Sequence, residues 1–318
     1  MPAAGQPDYR WGPGTESLIR YRPSMTEPRA PRRMQTVDAN DLTFGYLSAG
    51  PDSGPLALCL HGFPDSAHTW RHLLPVLGDA GFHAVAPFLR GYAPTGVPAD
   101  GAYQTGALAA DANALHDVLG GREDAVLIGH DWGAGAAYAA ATAAPDRWRR
   151  VVTMAVPPFA ALPAEFFSYD QLKRSFYIFL FQTTLAETAL TRSFVEGLWR
   201  DWSPGYDAAA DVAHAMDCLA APENVAAAIG YYRTMLDPSR RVARYAAEQE
   251  AAGRIAGQPH LYLHGARDGC LGVELVTDAD RHLPSRSRAE IMDGVGHFLH
   301  LERPAEVNEL VMDWISGG

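Results

Sequence analysis

Asp131 stands at the centre of Gly129-His130-Asp131-Trp132-Gly133-Ala134-Gly135, preceded by an apolar run at residues 125–128 and followed by an alanine-rich, helix-length stretch at 134–143. Strand, tight turn and helix in that order lift the central side chain to the apex of the turn. The flanking glycines are needed because the strained backbone leaves no room for other side chains. Gly-x-Asp-x-Gly alone is a common turn, and the strand and helix on either side distinguish this one. A carboxylate here needs no base to activate it. It is ionised at pH 7 from an ordinary pKa of about 3.9, and a helix beginning at Trp132 favours the charge further. The task that suits it is SN2 attack on an electrophilic sp3 carbon, which gives an ester that water can cleave. A serine would leave an ether, and the chain contains no Gly-x-Ser-x-Gly.

Hydrolysing such an ester requires a base for water, an acid to orient the base, and donors for the oxyanion. His297 lies in the glycine-rich loop Gly294-Val295-Gly296-His297-Phe298, after the last strand candidate. Asp268, in His264-Gly265-Ala266-Arg267-Asp268-Gly269, follows the strand before it. Asp293 is a second candidate for the acid. The place after the run at 151–156 holds Pro157-Pro158-Phe159 and offers no carboxylate. The backbone N–H groups of Phe63, in Leu60-His61-Gly62-Phe63-Pro64, and of Trp132 could form the oxyanion hole. His61 is expected to bond loop backbone rather than take part in chemistry.

These residues must be carried by strand ends. Apolar runs at 56–60, 84–88, 125–128, 151–156, 260–263 and 289–292 alternate with helix-length stretches at 70–77, 108–119 and 134–143. That alternation predicts a mostly parallel sheet covered by helices on both faces, with ligands at the carboxyl ends of its strands. Alternating segments at 35–37 and 42–47 predict an antiparallel hairpin ahead of it. Residues 157–258 contain no strand candidate and are rich in aromatic residues, so they read as a helical insertion capping the site. The core is then 34–156 with 259–318. Residues 1–33, rich in Pro, Gly and Arg, read as a surface or disordered extension.

Composition narrows the function classes. The 318 residues carry 26 basic and 37 acidic side chains, a net charge of −11, with 47% hydrophobic content. The acidic balance without a basic cluster argues against nucleic acid. No apolar run approaches the roughly 20 residues of a membrane span, and no secretory leader is seen, which points to the cytoplasm. Three separated cysteines, Cys59, Cys218 and Cys270, suit reduced thiols. No cofactor or metal is expected. The pairs His68/His72 and His297/His300 lack the companion residues of a zinc site. The oligomeric state stays open, a homodimer included.

Taken together, His61-Gly62-Phe63-Pro64, Arg90-Gly91-Tyr92-Ala93-Pro94-Thr95, Gly129-His130-Asp131-Trp132-Gly133-Ala134 and Gly296-His297-Phe298 make the chain resemble an α/β-hydrolase-fold epoxide hydrolase from about residue 34 onward. The order nucleophile, acid, histidine agrees with that fold. The resemblance implies a small hydrophobic epoxide as substrate, a vicinal diol as product, and two cap tyrosines that hold the epoxide oxygen and protonate it. Tyr232, in Tyr231-Tyr232-Arg233, matches one. Tyr177 matches the other by its spacing to Phe181-Gln182, with Tyr169 and Tyr231 as neighbouring alternatives. Haloalkane dehalogenases share the aspartate and often the tryptophan after it, but they want a halide donor where Phe63 offers none. The remaining alternative is a hydrolase-fold protein that only binds a small apolar ligand.

Overall fold

The computed structural model describes residues 33–159 and 164–317. The extension expected over 1–33 lies outside them apart from Arg33, which opens the first strand. Strands β1 (Arg33–Ala39) and β2 (Leu42–Ala49) form the expected hairpin. Its two-residue turn places both Asn40 and Asp41 at positive φ, 45° and 62°. Such a turn matches the twist of the strands it joins.

Six further strands follow: β3 (Leu56–Leu60), β4 (His83–Pro87), β5 (Ala125–His130), β6 (Trp148–Met154), β7 (His260–Gly265) and β8 (Arg288–Met292). They make one eight-stranded sheet in the order β1-β2-β4-β3-β5-β6-β7-β8. The two pairings of β2 are antiparallel and all the others beyond it are parallel. β3, β4, β5 and β7 are buried along their whole length, which is why they read as unbroken apolar runs.

The crossovers between the parallel strands carry α1 (Leu73–Asp79), α2 (Thr105–Val118) and α3 (Trp132–Ala143), and α2 and α3 pack on one another while α1 does not join them. The helix expected over 70–77 is in fact two pieces. A 3-10 turn, Ala67–Arg71, capped by Ser66, precedes α1. Pro75 in the first turn of α1 has no N–H to give the Arg71 carbonyl, so the helix restarts instead of continuing. β6 also begins and ends earlier than its apolar run, and Ala155 beyond it takes φ 66°.

No strand lies between β6 and β7 among the described residues. That segment holds α4 (Tyr169–Arg174), α5 (Phe176–Leu180), α6 (Ala186–Ala189), α7 (Arg192–Trp202), α8 (Ala209–Cys218), α9 (Pro222–Leu236) and α10 (Ala246–Ala251). The last of these packs on α2 and α3. Two C-terminal helices, α11 (Leu299–Glu302) and α12 (Pro304–Ser316), complete the layer that contains α1. No helix among the described residues is long and apolar enough to cross a membrane.

Candidate active site

The turn from β5 to α3 places Asp131 at φ 53°, ψ −119°, a backbone conformation that L-residues avoid. Its neighbours allow this by being small. A side-chain carbon at Gly133 would strike the Leu60 carbonyl, and one at Gly62 would strike the Asp131 carboxylate itself. The loop after β3 thus lies directly against the aspartate. There the Phe63 N–H donates to Asp131 Oδ1 at 2.7 Å, and the Trp132 N–H also supports the carboxylate.

The loops after β7 and β8 complete the arrangement. His297 Nδ1 donates to Asp268 Oδ2 at 2.8 Å, while His297 Nε2 stands 3.8 Å from Asp131 Oδ2. The second Asp268 oxygen, Oδ1, accepts from the N–H groups of Cys270 and Leu271 at 2.7 and 2.9 Å. Of the two acids the sequence offers, Asp268 and Asp293, it is Asp268 that reaches the imidazole. His61 lies nearby but is occupied as expected. Its Nδ1 donates to the Gly62 carbonyl and its Nε2 accepts from the Leu89 N–H, while burial draws its pKa down to about 4.

Helix α7 locks these loops to one another. The Trp199 indole N–H donates to the Pro64 carbonyl at 2.9 Å. The Trp202 carbonyl accepts from His297 N–H at 3.0 Å and from Gly269 N–H at 3.2 Å. On the far side of His297, its own carbonyl accepts from His130 Nε2 at 3.0 Å. None of these roles is visible in the sequence, because a backbone carbonyl has no residue type and His130 resembles any turn residue.

Electrostatics departs from expectation at Asp131. The ordinary value, lowered by a helix N-terminus, is not kept, because burial raises it against the opposing pull of His297 and the two N–H groups. Burial lowers the His297 imidazole, but the Asp268 and Asp131 carboxylates outweigh it, and the balance is upward. Each of the two groups thus pulls the other toward its charged form, while burial opposes the charge on both.

Opposite the aspartate, the helical segment supplies Tyr177 from α5 and Tyr232 from α9, both buried, with ring centroids 5.3 Å apart. Phe63 stacks on Tyr177, and Trp132 meets Tyr232 edge to face. The Tyr232 hydroxyl makes no hydrogen bond of ordinary geometry among the described residues, and the Trp132 indole N–H is the one group near enough to act weakly on it. The Tyr177 hydroxyl lies 3.5 Å from Cys270 Sγ. Burial pushes both phenols well above their usual value, so they stay protonated. The alternatives are placed elsewhere. Tyr169 is 81% exposed, and the Tyr231 hydroxyl donates to the Arg90 carbonyl at 2.8 Å.

Asp131, Trp132, Tyr177, Tyr232, Cys270 and Phe166 are among the walls of a cavity of about 90 Å³. A hollow of about 290 Å³ shares Trp132, Phe159 and Met235 with it and brings more polar walls, including Gln104, Thr105 and Thr234. Cys59, Cys218 and Cys270 are free and buried, as reduced thiols should be.

A sequence model of the alpha/beta hydrolase fold matches residues 55–304. The chain is 31% identical to Epoxide hydrolase A of Mycobacterium tuberculosis over 88% of this chain and 96% of that protein. It is 29% identical to Epoxide hydrolase 3 of Xenopus tropicalis over 96% of this chain and 83% of the relative. Among solved structures, Epoxide Hydrolase A from Mycobacterium thermoresistibile superimposes with a TM-score of 0.74 at 28% identity, over 90% of this chain and 99% of that one. The chain accordingly belongs to the α/β-hydrolase family and, within it, to the epoxide hydrolases.

Proposed function

We propose that the protein converts a hydrophobic epoxide and water into a vicinal diol through an alkyl ester on Asp131, with the helical segment expected over 157–258 acting as a cap over the site, except for α10, which packs on α2 and α3. The observation that carries this reading is the facing of Asp131 by two buried phenols across one small cavity, the hydroxyl of Tyr232 making no hydrogen bond of ordinary geometry. An epoxide expels an alkoxide, and a neutral phenol is the acid such a leaving group needs.

The two aspartate oxygens are suited to different work. Oδ1 already rests on the Phe63 N–H, so Oδ2, on the His297 side, is the attacking atom. As the bond from Oδ2 to a ring carbon forms and the carbon–oxygen bond of the ring breaks, the phenol proton passes to the departing oxygen. His297 Nε2 then takes a proton from water, and the water oxygen adds to the ester carbon. The oxyanion develops on Oδ1, which already accepts the Phe63 N–H, with the Trp132 N–H beside the carboxylate as the second donor. Collapse expels the diol oxygen, which carries Oδ2 away and takes the proton held by His297, and the proton left on the Asp131 carboxyl returns through solvent to the tyrosinate. Asp268 holds the imidazole in the tautomer this requires. The apolar cavity takes the epoxide end, and the larger adjoining hollow has room for the rest of the substrate.

Purified protein given an aryl epoxide and, in parallel, a haloalkane tests the reading. Diol formation without halide release is expected. Halide release without diol would favour the dehalogenase alternative, and neither product, together with tight binding of an apolar ligand, would favour a non-catalytic role.

A further inference from the structure

The loop after β7 brings a thiol into the site along with the acid. Cys270 is buried, and its Sγ is 3.5 Å from the Tyr177 hydroxyl oxygen. Its N–H donates to Asp268 Oδ1 at 2.7 Å, and its carbonyl accepts from Gln171 Nε2 of α4 at 2.8 Å. Gln171 returns the contact by accepting the Gly272 N–H on its Oε1 at 3.1 Å. The thiol is therefore fixed at both ends of its residue, by the loop that holds the acid and by the helical segment that carries the phenol.

Packing orients the Tyr177 ring but leaves its hydroxyl proton a choice. Phe63, Phe181, Trp202 and Tyr232 surround the ring, and none of those contacts is a hydrogen bond. A phenol oxygen donates once and accepts through its lone pairs, and a thiol can do either weakly. If the phenol donates to sulfur, its proton is spent. If sulfur donates to the phenol, the proton must turn to the other side, which is the cavity shared with Asp131. Once a substrate oxygen lies in that cavity, it is a better acceptor than sulfur, and the second arrangement wins. Tyr232 needs no such device, because the Trp132 indole N–H near its hydroxyl can only donate and leaves the phenol proton free.

We propose that Cys270 is a positioning residue for Tyr177, donating its S–H to the phenol oxygen so that the phenol proton points at the oxygen of the bound epoxide. This rests on the reading of Tyr177 as one of the two acids.

The test is the rate of ester formation in a single turnover, measured for the wild type, Cys270→Ala, Tyr177→Phe and the double variant. Cys270→Ala should slow it about fivefold, the size of one neutral hydrogen bond. The same substitution in the Tyr177→Phe background should have no further effect. Cys270→Val, which fills the space but donates nothing, should behave as Ala, and Cys270→Ser should recover the rate to within about twofold of wild type. A slow Tyr177→Phe on which Cys270→Ala acts as strongly as on wild type would overturn the positioning role alone, as would a slow Cys270→Ser. A Tyr177→Phe as fast as wild type would overturn the reading of Tyr177 itself and the proposal with it.

Discussion

The Phe63 N–H lies 2.7 Å from Asp131 Oδ1, so one oxygen of the aspartate is anchored before any substrate arrives. This makes the carboxylate asymmetric in the resting state. The oxygen that must later carry the oxyanion is already in its donor site, and the other is left facing His297 at 3.8 Å. Such preorganisation costs no rearrangement at the moment of reaction.

His297 should titrate above an ordinary histidine, whose pKa is about 6.5, because the Asp268 and Asp131 carboxylates outweigh its burial. Protonated imidazole cannot accept a proton from water, so ester hydrolysis should fall as pH drops through the histidine's pKa. Esterification removes the charge on Asp131 and with it one of the upward influences, which moves the imidazole toward its free base when it is needed. Histidine ring signals in NMR titrations should show a lower midpoint for His297 in Asp131→Asn than in wild type. An unchanged midpoint would mean that Asp131 does not control the base.

Tyr232→Phe should separate activity from stability. Its hydroxyl is buried without a hydrogen bond of ordinary geometry, so removing it should leave stability within about 1 kcal/mol of wild type, or raise it. Ester formation should slow by about 100-fold, the lower end for a general acid because Tyr177 remains. Thermal unfolding and single-turnover rates would decide. A variant that loses stability while keeping its rate would place the hydroxyl in packing instead.

The Arg90 of the Arg-Gly-Tyr-Ala-Pro segment has a structural role that its motif does not reveal. Its guanidinium is fully buried, gripping both Asp111 oxygens at 2.6 Å and the Ala102 carbonyl at 2.6 Å. Asp111→Ala strands that charge and should cost about 3–5 kcal/mol in denaturant unfolding. A cost below about 1 kcal/mol would show that water reaches Arg90.

Asp65, in the loop after Pro64, is pushed up to about 8, first by burial and then by the charge of Asp211. A carboxyl raised in the folded state favours folding below its ordinary value near 3.9, and that contribution is lost as pH rises toward 8. Asp65→Asn, which stays neutral throughout, should therefore gain in melting temperature relative to wild type across that window and level off above it. A difference between the two that is flat from pH 4 to 8 would contradict the shift.

The sheet and the elbow were legible because their signals are local. Strands buried on both faces must be apolar throughout, and a turn that tight must be flanked by glycine, as at Gly133. The tyrosines were harder. Where aromatic residues crowd several helices, there is no polar face to set a phase, so Tyr169 and Tyr177 looked alike although one is 81% and the other 3% exposed. Tyr231 and Tyr232 are neighbours on α9, about 100° apart around its axis, which is enough to give one to the Arg90 carbonyl and the other to the cavity. The clamps at Trp202 and Gln171 were not legible at all, since they join carbonyls and N–H groups brought together only by the finished fold.

The central claim is that Asp131 forms an ester whose carbonyl carbon, not the substrate carbon, is attacked by water. A single turnover with enzyme in excess, run in 18O-labelled water and read by mass spectrometry of both partners, tests it most directly. The account predicts a diol free of label and one labelled oxygen in the peptide containing Asp131. Label in the diol of that first turnover, with none in the peptide, would mean that water opens the ring directly and would contradict the account.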